Sequence, residues 1–366
     1  MFNWFEPEAC PIGIDIGTHS VKLMQFRRRK DELLLQAACS VDLESVPQTG
    51  NQTQHLAAVI RTALEGGEFV GRRCVLSLPA TAVHTKSVRL PQMPEADLAQ
   101  AVKWEAKDRF SFDLAEGRLV YFLAGEVRRG TEVKDEVLLF AAPEDVLRSH
   151  LEAIRSVKLQ ADAIDLAPCA LVRSLRRAMP VQREAAGAVL DVGSGGSQFV
   201  IYLDDRIVFY KYIDIGGRKI NEAIAAKLGV SLQEATQIRL QLASPAGKEE
   251  GDESAPLAQA VYDAMRPPVE ELARELDMCM RYYVVSFRGA RSDTVSLSGR
   301  QALCPRLQEG LSAGLGMRVE PAQPLRSVGE LGDKARPDRS SEWAVAAGLS
   351  LYPVDEAAAD RKEVAA

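Results

Sequence analysis

Residues 12–26 read IGIDIGTHSVKLMQF. Aliphatic residues run up to Gly17 and resume after Ser20, which predicts two strands joined across Gly17-Thr18-His19-Ser20. A plain hairpin does not need Asp15 just ahead of its turn. Glycine and small hydroxyl residues in a tight turn let backbone N–H groups approach phosphate oxygens with no side chain in the way. An Asp on the strand before the turn is placed to hold the water shell of Mg²⁺, which keeps several waters and accepts one or two carboxylates. D-x-G alone is an ordinary turn sequence and one copy is a weak signal. The pattern returns at residues 189–203, VLDVGSGGSQFVIYL, with Asp191 ahead of Gly193-Ser194-Gly195-Gly196. Two copies in matching strand contexts predict two duplicated lobes with a metal-phosphate cleft between them.

Composition agrees with a large folded chain. The 366 residues are 46% hydrophobic and 26% charged, enough for two domains or one bilobal fold with subdomains. A net charge of -6, with no basic run longer than Arg27-Arg28-Arg29-Lys30, argues against a nucleic-acid partner. Six scattered cysteines and four histidines give neither a metal-ligand spacing nor a disulfide framework. No segment reaches the ~18 uninterrupted apolar residues of a membrane span, so a cytoplasmic location is expected. Phe2, Trp4 and Phe5 read as an aromatic plug on the domain or as a contact with a membrane or partner.

The first lobe is expected over 1–80, with strands at 12–26 and 33–43, a helix at 54–65 and the strand RCVLSLP. A compact block over 81–160 reads strand, helix, strand, strand, helix and looks inserted. Residues 161–187 cross back, 188–352 form the second lobe, and 353–366 are a frayed tail. In the second lobe, helices are expected at 218–228, 231–243, 257–285 and 301–314, a mobile Pro-, Gly- and acid-rich loop at 244–256, and a last helix in SEWAVAAGLSLY.

The paired D-x-G hairpins, followed by the strand-Gly-helix stretch TVSLSGRQALCPRLQEGL, resemble the actin, Hsp70 and FtsA superfamily over nearly the whole chain. Within it, GIDIGTHSVKLMQF, SLPATAVHTKSVRLPQM, KWEAKDRFSFDLAE and IDIGGRKINEAIAAKLGVSLQEATQIR are similar to the PilM family of type IV pilus assembly, with the MshI and GspL families further off. The resemblance implies an α/β, bilobal actin-like fold (a duplicated ribonuclease H-like fold) whose insert corresponds to the 1C subdomain of FtsA-type members. It implies ATP with Mg²⁺ as ligands. Asp15, Gly17, Thr18, Ser20 and Lys22 would form the first phosphate loop and Asp191, Gly193, Ser194, Gly195 and Gly196 the second, with Asp15 and Asp191 holding Mg²⁺ through water. Gly216-Gly217 would lie near the ribose, and Ser298-Gly299 would meet the adenosine. It also implies a partner: the cytoplasmic amino-terminal peptide of a PilN-like membrane protein, placing the chain at the inner membrane only indirectly. Self-association is supported by such folds but not required.

Some positions leave alternatives open. Lys22 either reaches phosphate or sits solvated on an open strand face, and Gly216-Gly217 also fits a plain helix-entry turn. His19 is read as a solvent-exposed turn residue more readily than as a phosphate donor. Trp104, at helical spacing from Val102 and near Phe110 and Phe112, either shapes a peptide groove or packs the subdomain core. Ala167 precedes Pro168 where superfamily ATPases place a residue that orients water, so hydrolysis is expected to be weak or absent, with Asp165 a weak candidate for that role. Thr236 and Arg239 replace an expected Glu and Lys near the ribose and base. Arg300 follows Gly299, where relatives carry a small residue, and either stacks on adenine or fills the site. The competing readings are a nucleotide-free structural pseudo-ATPase and a sugar-kinase-branch phosphotransferase, for which no catalytic Asp is evident.

Overall fold

The computed structural model describes residues 8–353, apart from 31, 49, 130, 179–185, 244–254, 290–291, 330 and 332–336, together with 362–364. The aromatic residues at 2, 4 and 5 and nearly all of the predicted mobile loop at 244–256 lie outside the described residues.

Two sheets of the same design carry the lobes. In lobe I, β1 (Glu8–Ala9), β2 (Ile12–Ile16), β3 (Ser20–Arg29) and β4 (Glu32–Asp42) are joined by β5 (Arg73–Ser77) and β9 (Gln160–Asp165). β3 pairs antiparallel with β1, β2 and β4, and β2, β5 and β9 run parallel. In lobe II, β10 (Gly187–Val192), β11 (Ser197–Leu203) and β12 (Arg206–Ile213) repeat the antiparallel half, and β13 (Thr294–Ser298) and β14 (Arg318–Pro321) the parallel half, in the order β12-β11-β10-β13-β14. The duplication expected from the two D-x-G stretches is therefore a duplication of whole sheets, and the fold is bilobal and actin-like. Central strands such as β2, buried at Ile12, Ile14 and Ile16, are covered on both faces, which is why they read as apolar runs.

Helices close the faces. In lobe I, α1 (Gln52–Glu65) starts on a capping box between Asn51 and Gln54 and buries Val59 and Ile60. It packs beside α3 (Glu144–Ser156), whose Ile154 shares the core of Ile14 and Ile60. In lobe II, α5 (Gly217–Leu228) and α6 (Leu232–Ala243) pack with α7 (Ala255–Phe287) and α8 (Pro305–Leu315) around Leu190, Phe199 and Leu297. The helix expected at 301–314 is instead a 3₁₀ turn over Arg300–Leu303 followed by α8, because Pro305 opens the helix at its first position.

The insert holds β6 (His84–Pro91), α2 (Glu95–Ala106), β7 (Gly117–Arg129) and β8 (Glu132–Pro143). Leu98 and Val102 of α2 pack on Val88, Leu119, Val137 and Leu139 of its sheet. The opposite face rests on lobe II, where the Phe140 and Tyr210 rings lie 5.1 Å apart and Tyr282 Oη donates to Glu136 at 2.9 Å. α3, expected within the 81–160 insert, contributes Ile154 to lobe I's core.

Two segments at the end of the chain depart from expectation. The last helix, α9 (Ala344–Ser350), belongs by sequence to lobe II but packs on β2, β3 and α4 (Ala167–Ala178) of lobe I. Ser350 Oγ accepts from Phe26 N–H and donates to the Pro11 carbonyl. The fit requires glycine at position 13, where a Cβ would stand 2.2 Å from the Ala346 carbonyl oxygen. The tail expected to fray forms β15 (Lys362–Val364), antiparallel to β7 at Leu119–Tyr121. No described helix is long and apolar enough to cross a membrane.

Candidate functional site

The two D-x-G hairpins converge. The Gly195 N–H donates to Thr18 Oγ1 at 3.1 Å, so the turn between β2 and β3 touches the turn between β10 and β11. Asp15 and Asp191, at the ends of β2 and β10, lie close enough for the charge of the first to act on the second. Each turn is closed on itself in the same manner: Gly17 N–H to the Ser20 carbonyl and Gly193 N–H to the Gly196 carbonyl, both at 3.0 Å.

Strand register explains what surrounds each acid. Asp15 stands opposite Lys22 on β3 and Ser77 on β5. Lys22 Nζ is 3.4 Å from Asp15 Oδ2 with only 12% of its side chain exposed, so the lysine lies in the cleft rather than solvated on an open face. Ser77 Oγ is 3.5 Å from Asp15 Oδ1. In lobe II, Asp191 stands opposite Gln198 on β11 and Ser298 on β13. Burial, reinforced by the charge of Asp15, pushes the Asp191 carboxyl up to about 6, against the pull of Lys22 and of the polar groups of Ser298 and Gln198. Sequence reasoning missed Ser77 and Gln198. The signal was the ending of two parallel strands on Leu-Ser, VLS at 75–77 and SLS at 296–298, which becomes informative only once the strands are known to be neighbours.

The remaining predicted residues form the lobe II side. Gly216 caps α5, whose first-turn N–H groups at Gly217 and Arg218 bond the carbonyls of Gly193 and Ser194 at 2.9 Å. The Gly216-Gly217 pair is thus both a helix entry and the support of the second loop. Ser298 lies beneath Asp191, its hydroxyl donating to the Ser341 carbonyl at 3.1 Å. Gly299 has φ of 86°, and a Cβ there would meet the Val192 carbonyl oxygen at 2.5 Å. Arg239 is 4% exposed, its Nε donating to Asn221 Oδ1 at 2.6 Å, and Asn221 donates to Thr236 at 2.7 Å. The side chain of Gln301 packs against Gly217. Thr236 and Arg239 therefore meet on Asn221 between α5 and α6, and Gln301 of the 3₁₀ turn lies against the start of α5.

Three further predicted residues have partners of their own. Asp165, in register with Ser77, is buried; Oδ2 pairs with Arg173 Nη2 at 2.9 Å and Oδ1 accepts the Leu166 N–H at 2.6 Å. His19 is part-exposed and lies 3.7 Å from Asp42, which raises its pKa. Arg300 reaches the same Asp42, with Nη1 3.1 Å from Oδ1. Trp104 is not core: it stands 81% exposed on α2.

Chemically, the centre is a pair of like charges with a lysine between them and glycine turns on either side. A divalent cation neutralises such a pair through its water shell, and the residues present fit Mg²⁺ held by Asp15 and Asp191. Among the described residues no cluster of three or more His, Cys, Asp and Glu offers a tighter metal site.

Known structures share this fold. A solved PilM-PilN type IV pilus biogenesis complex matches with a TM-score of 0.77 at 23% identity, covering 94% of this chain and 98% of that one. The ethanolamine utilization protein EutJ from Carboxydothermus hydrogenoformans matches with a TM-score of 0.56 at 14% identity, covering 96% and 92%. A nucleotide-free diol dehydratase-reactivating factor matches with a TM-score of 0.52 at 10% identity, covering 94% and 99%. At these identities the likeness is one of fold. The model of the family described as Type IV pilus assembly protein PilM spans residues 13–353, both hairpins and the insert between them, and the chain belongs to that family.

Proposed function

We propose that this chain is a nucleotide-responsive scaffold of a type IV pilus or related secretion machine. It takes up ATP with Mg²⁺ between its lobes and grips the amino-terminal peptide of a PilN-like inner-membrane partner. The observation that carries the nucleotide reading is the convergence of Asp15 and Asp191 beneath two touching glycine turns. Bound Mg²⁺ would supply the charge that lets both carboxylates stay ionised beside a polyphosphate. The chain's own part is to orient: Lys22 holds Asp15, while strand register sets Ser298 and Gln198 beside Asp191. Binding that favours one lobe arrangement shifts its population, and the insert, resting on lobe II through Phe140 and Glu136, would move with it.

Turnover has little support. Ala167 opens α4 where a water-orienting residue would stand, and both oxygens of Asp165 are engaged. The partner reading is supported by family membership, by the solved relative named as a PilM-PilN complex, and by Trp104, an exposed aromatic of the kind that anchors interfaces. Calorimetric titration with ATP and Mg²⁺ tests the first part. A saturable isotherm lost in Asp15→Ala is the expected result, and no heat at millimolar ligand would leave a purely structural pseudo-ATPase. Titration with the amino-terminal peptide of the PilN-like protein from the same genome tests the second. Trp104→Ala should weaken that binding about tenfold, and unchanged affinity would place the peptide elsewhere.

A further inference from the structure

Arg300 and Asp42 approach from opposite lobes. Asp42 ends β4 of lobe I, beside the first phosphate turn, since the Leu43 N–H bonds the His19 carbonyl at 2.8 Å. Arg300 follows Gly299 in lobe II. From behind, its Nε lies 3.7 Å from Glu342, a carboxylate only 6% exposed and bonded to Arg339 Nε at 3.0 Å. From in front, its Nη1 lies 3.1 Å from Asp42 Oδ1 and 3.4 Å from Oδ2. The arginine is thus anchored to its own lobe and aimed at the other.

Nearby, the Gly195 N–H, a donor that a phosphate oxygen would use, is taken by the Thr18 hydroxyl of lobe I. The two contacts have one chemical character. In each, an oxygen of lobe I meets a lobe II donor suited to an anionic ligand: a hydroxyl on a loop N–H, and a carboxylate on a guanidinium. Arg300 and Gly195 belong to different segments of lobe II, and Asp42 and Thr18 to different segments of lobe I.

We propose that these contacts form a latch that holds the cleft shut without ligand, the chain's own oxygens occupying donors that a polyanion must win by displacing them. The nucleotide part of this statement rests on the function proposed above; the latch itself does not. Arg300 then sets how readily the cleft opens, and its hold on Asp42 tunes affinity downward. The closed arrangement binds no nucleotide at these donors, so a ligand competes with Asp42 and Thr18 for them.

Hydrogen exchange read by mass spectrometry on the nucleotide-free full chain tests the latch, since exchange of the turn amides follows cleft opening. Asp42→Asn and Arg300→Ala should each speed exchange in peptides covering residues 15–20 and 193–197 by about two- to fivefold, the range for a partly exposed ion pair. The double variant should be no faster than either single one, because both remove the same contact. Calorimetry with ATP and Mg²⁺ should show tighter binding in Asp42→Asn by a similar factor. Unchanged exchange in the single variants, or additive effects in the double, would overturn the latch. So would weaker nucleotide binding in Arg300→Ala with no change in Asp42→Asn, which would make the arginine a direct ligand. Faster exchange with no nucleotide heat from any variant would uphold the latch and remove the nucleotide reading instead.

Discussion

The two D-x-G hairpins have the same strand order and the same position for the acid, yet they treat that acid in opposite ways. In lobe I, Asp15 is opposed by a cation, Lys22, and remains in contact with solvent. In lobe II, Asp191 is likewise partly buried but is opposed by the neutral Gln198, and burial with the charge of Asp15 pushes its carboxyl up to about 6. The two hairpins share their geometry and differ in the residue that faces the acid from the neighbouring strand, Lys22 in one and Gln198 in the other. The lobe I carboxylate has an ion-pair partner, whereas the lobe II carboxylate is held charged at some expense to the fold. A cation arriving between them therefore relieves strain chiefly on the lobe II side.

The largest expected effect tests that asymmetry directly. Asp191→Asn should raise the stability of the ligand-free protein at pH 7 by up to about 3 kcal/mol, the equivalent of the carboxyl's displacement. Asp15→Asn should lower it, because Lys22 loses its partner. Urea unfolding measures both, and the same sign in the two variants would break the comparison. Exchanging the opposing residues sharpens it at smaller scale. Gln198→Lys should give Asp191 the partner that Asp15 has and bring its pKa down, while Lys22→Gln should destabilise the ligand-free protein by about 1 kcal/mol. Carboxyl titration by NMR and urea unfolding read these two outcomes.

The smallest effect concerns the latch-side histidine. Its pairing with Asp42 raises the His19 pKa, with Glu44 assisting and burial and Arg300 opposing. The stability this pair contributes is therefore present below the unfolded-state pKa and lost as pH rises through the folded one. An imidazole titration should place His19 above an ordinary histidine in the parent and bring it down in Asp42→Asn.

Much of the fold was legible because local chemistry announced it. Asp15, Gly17, Asp191 and Gly193 mark turns that become informative because the pattern occurs twice in matching strand contexts, and register then carries Lys22 and Gln198 into place. What depended on distant neighbours was not legible. Ser77 matters only because β5 lies parallel to β2, and nothing in RCVLSLP says so. Arg239 reads as a ribose or base contact until α5 supplies Asn221 to bury it. Trp104 has helical spacing consistent with core, but the apolar face of α2 is complete with Leu98, Val102 and Ala106, which turns the indole outward. Arg300 could be assigned to stacking or to filling the site, and only the approach of Asp42 from the other lobe shows what it meets.

The return of α9 to lobe I bears on how the chain matures during synthesis. Met24, Phe26, Leu33 and Leu35 are made early, but their apolar cover includes Trp343, Ala346, Ala347 and Leu351. On a ribosome, the amino-terminal sheet must wait with an uncovered surface until nearly the whole polypeptide has emerged. A nonsense codon shortly before position 343 would accordingly damage the beginning of the protein as much as its end.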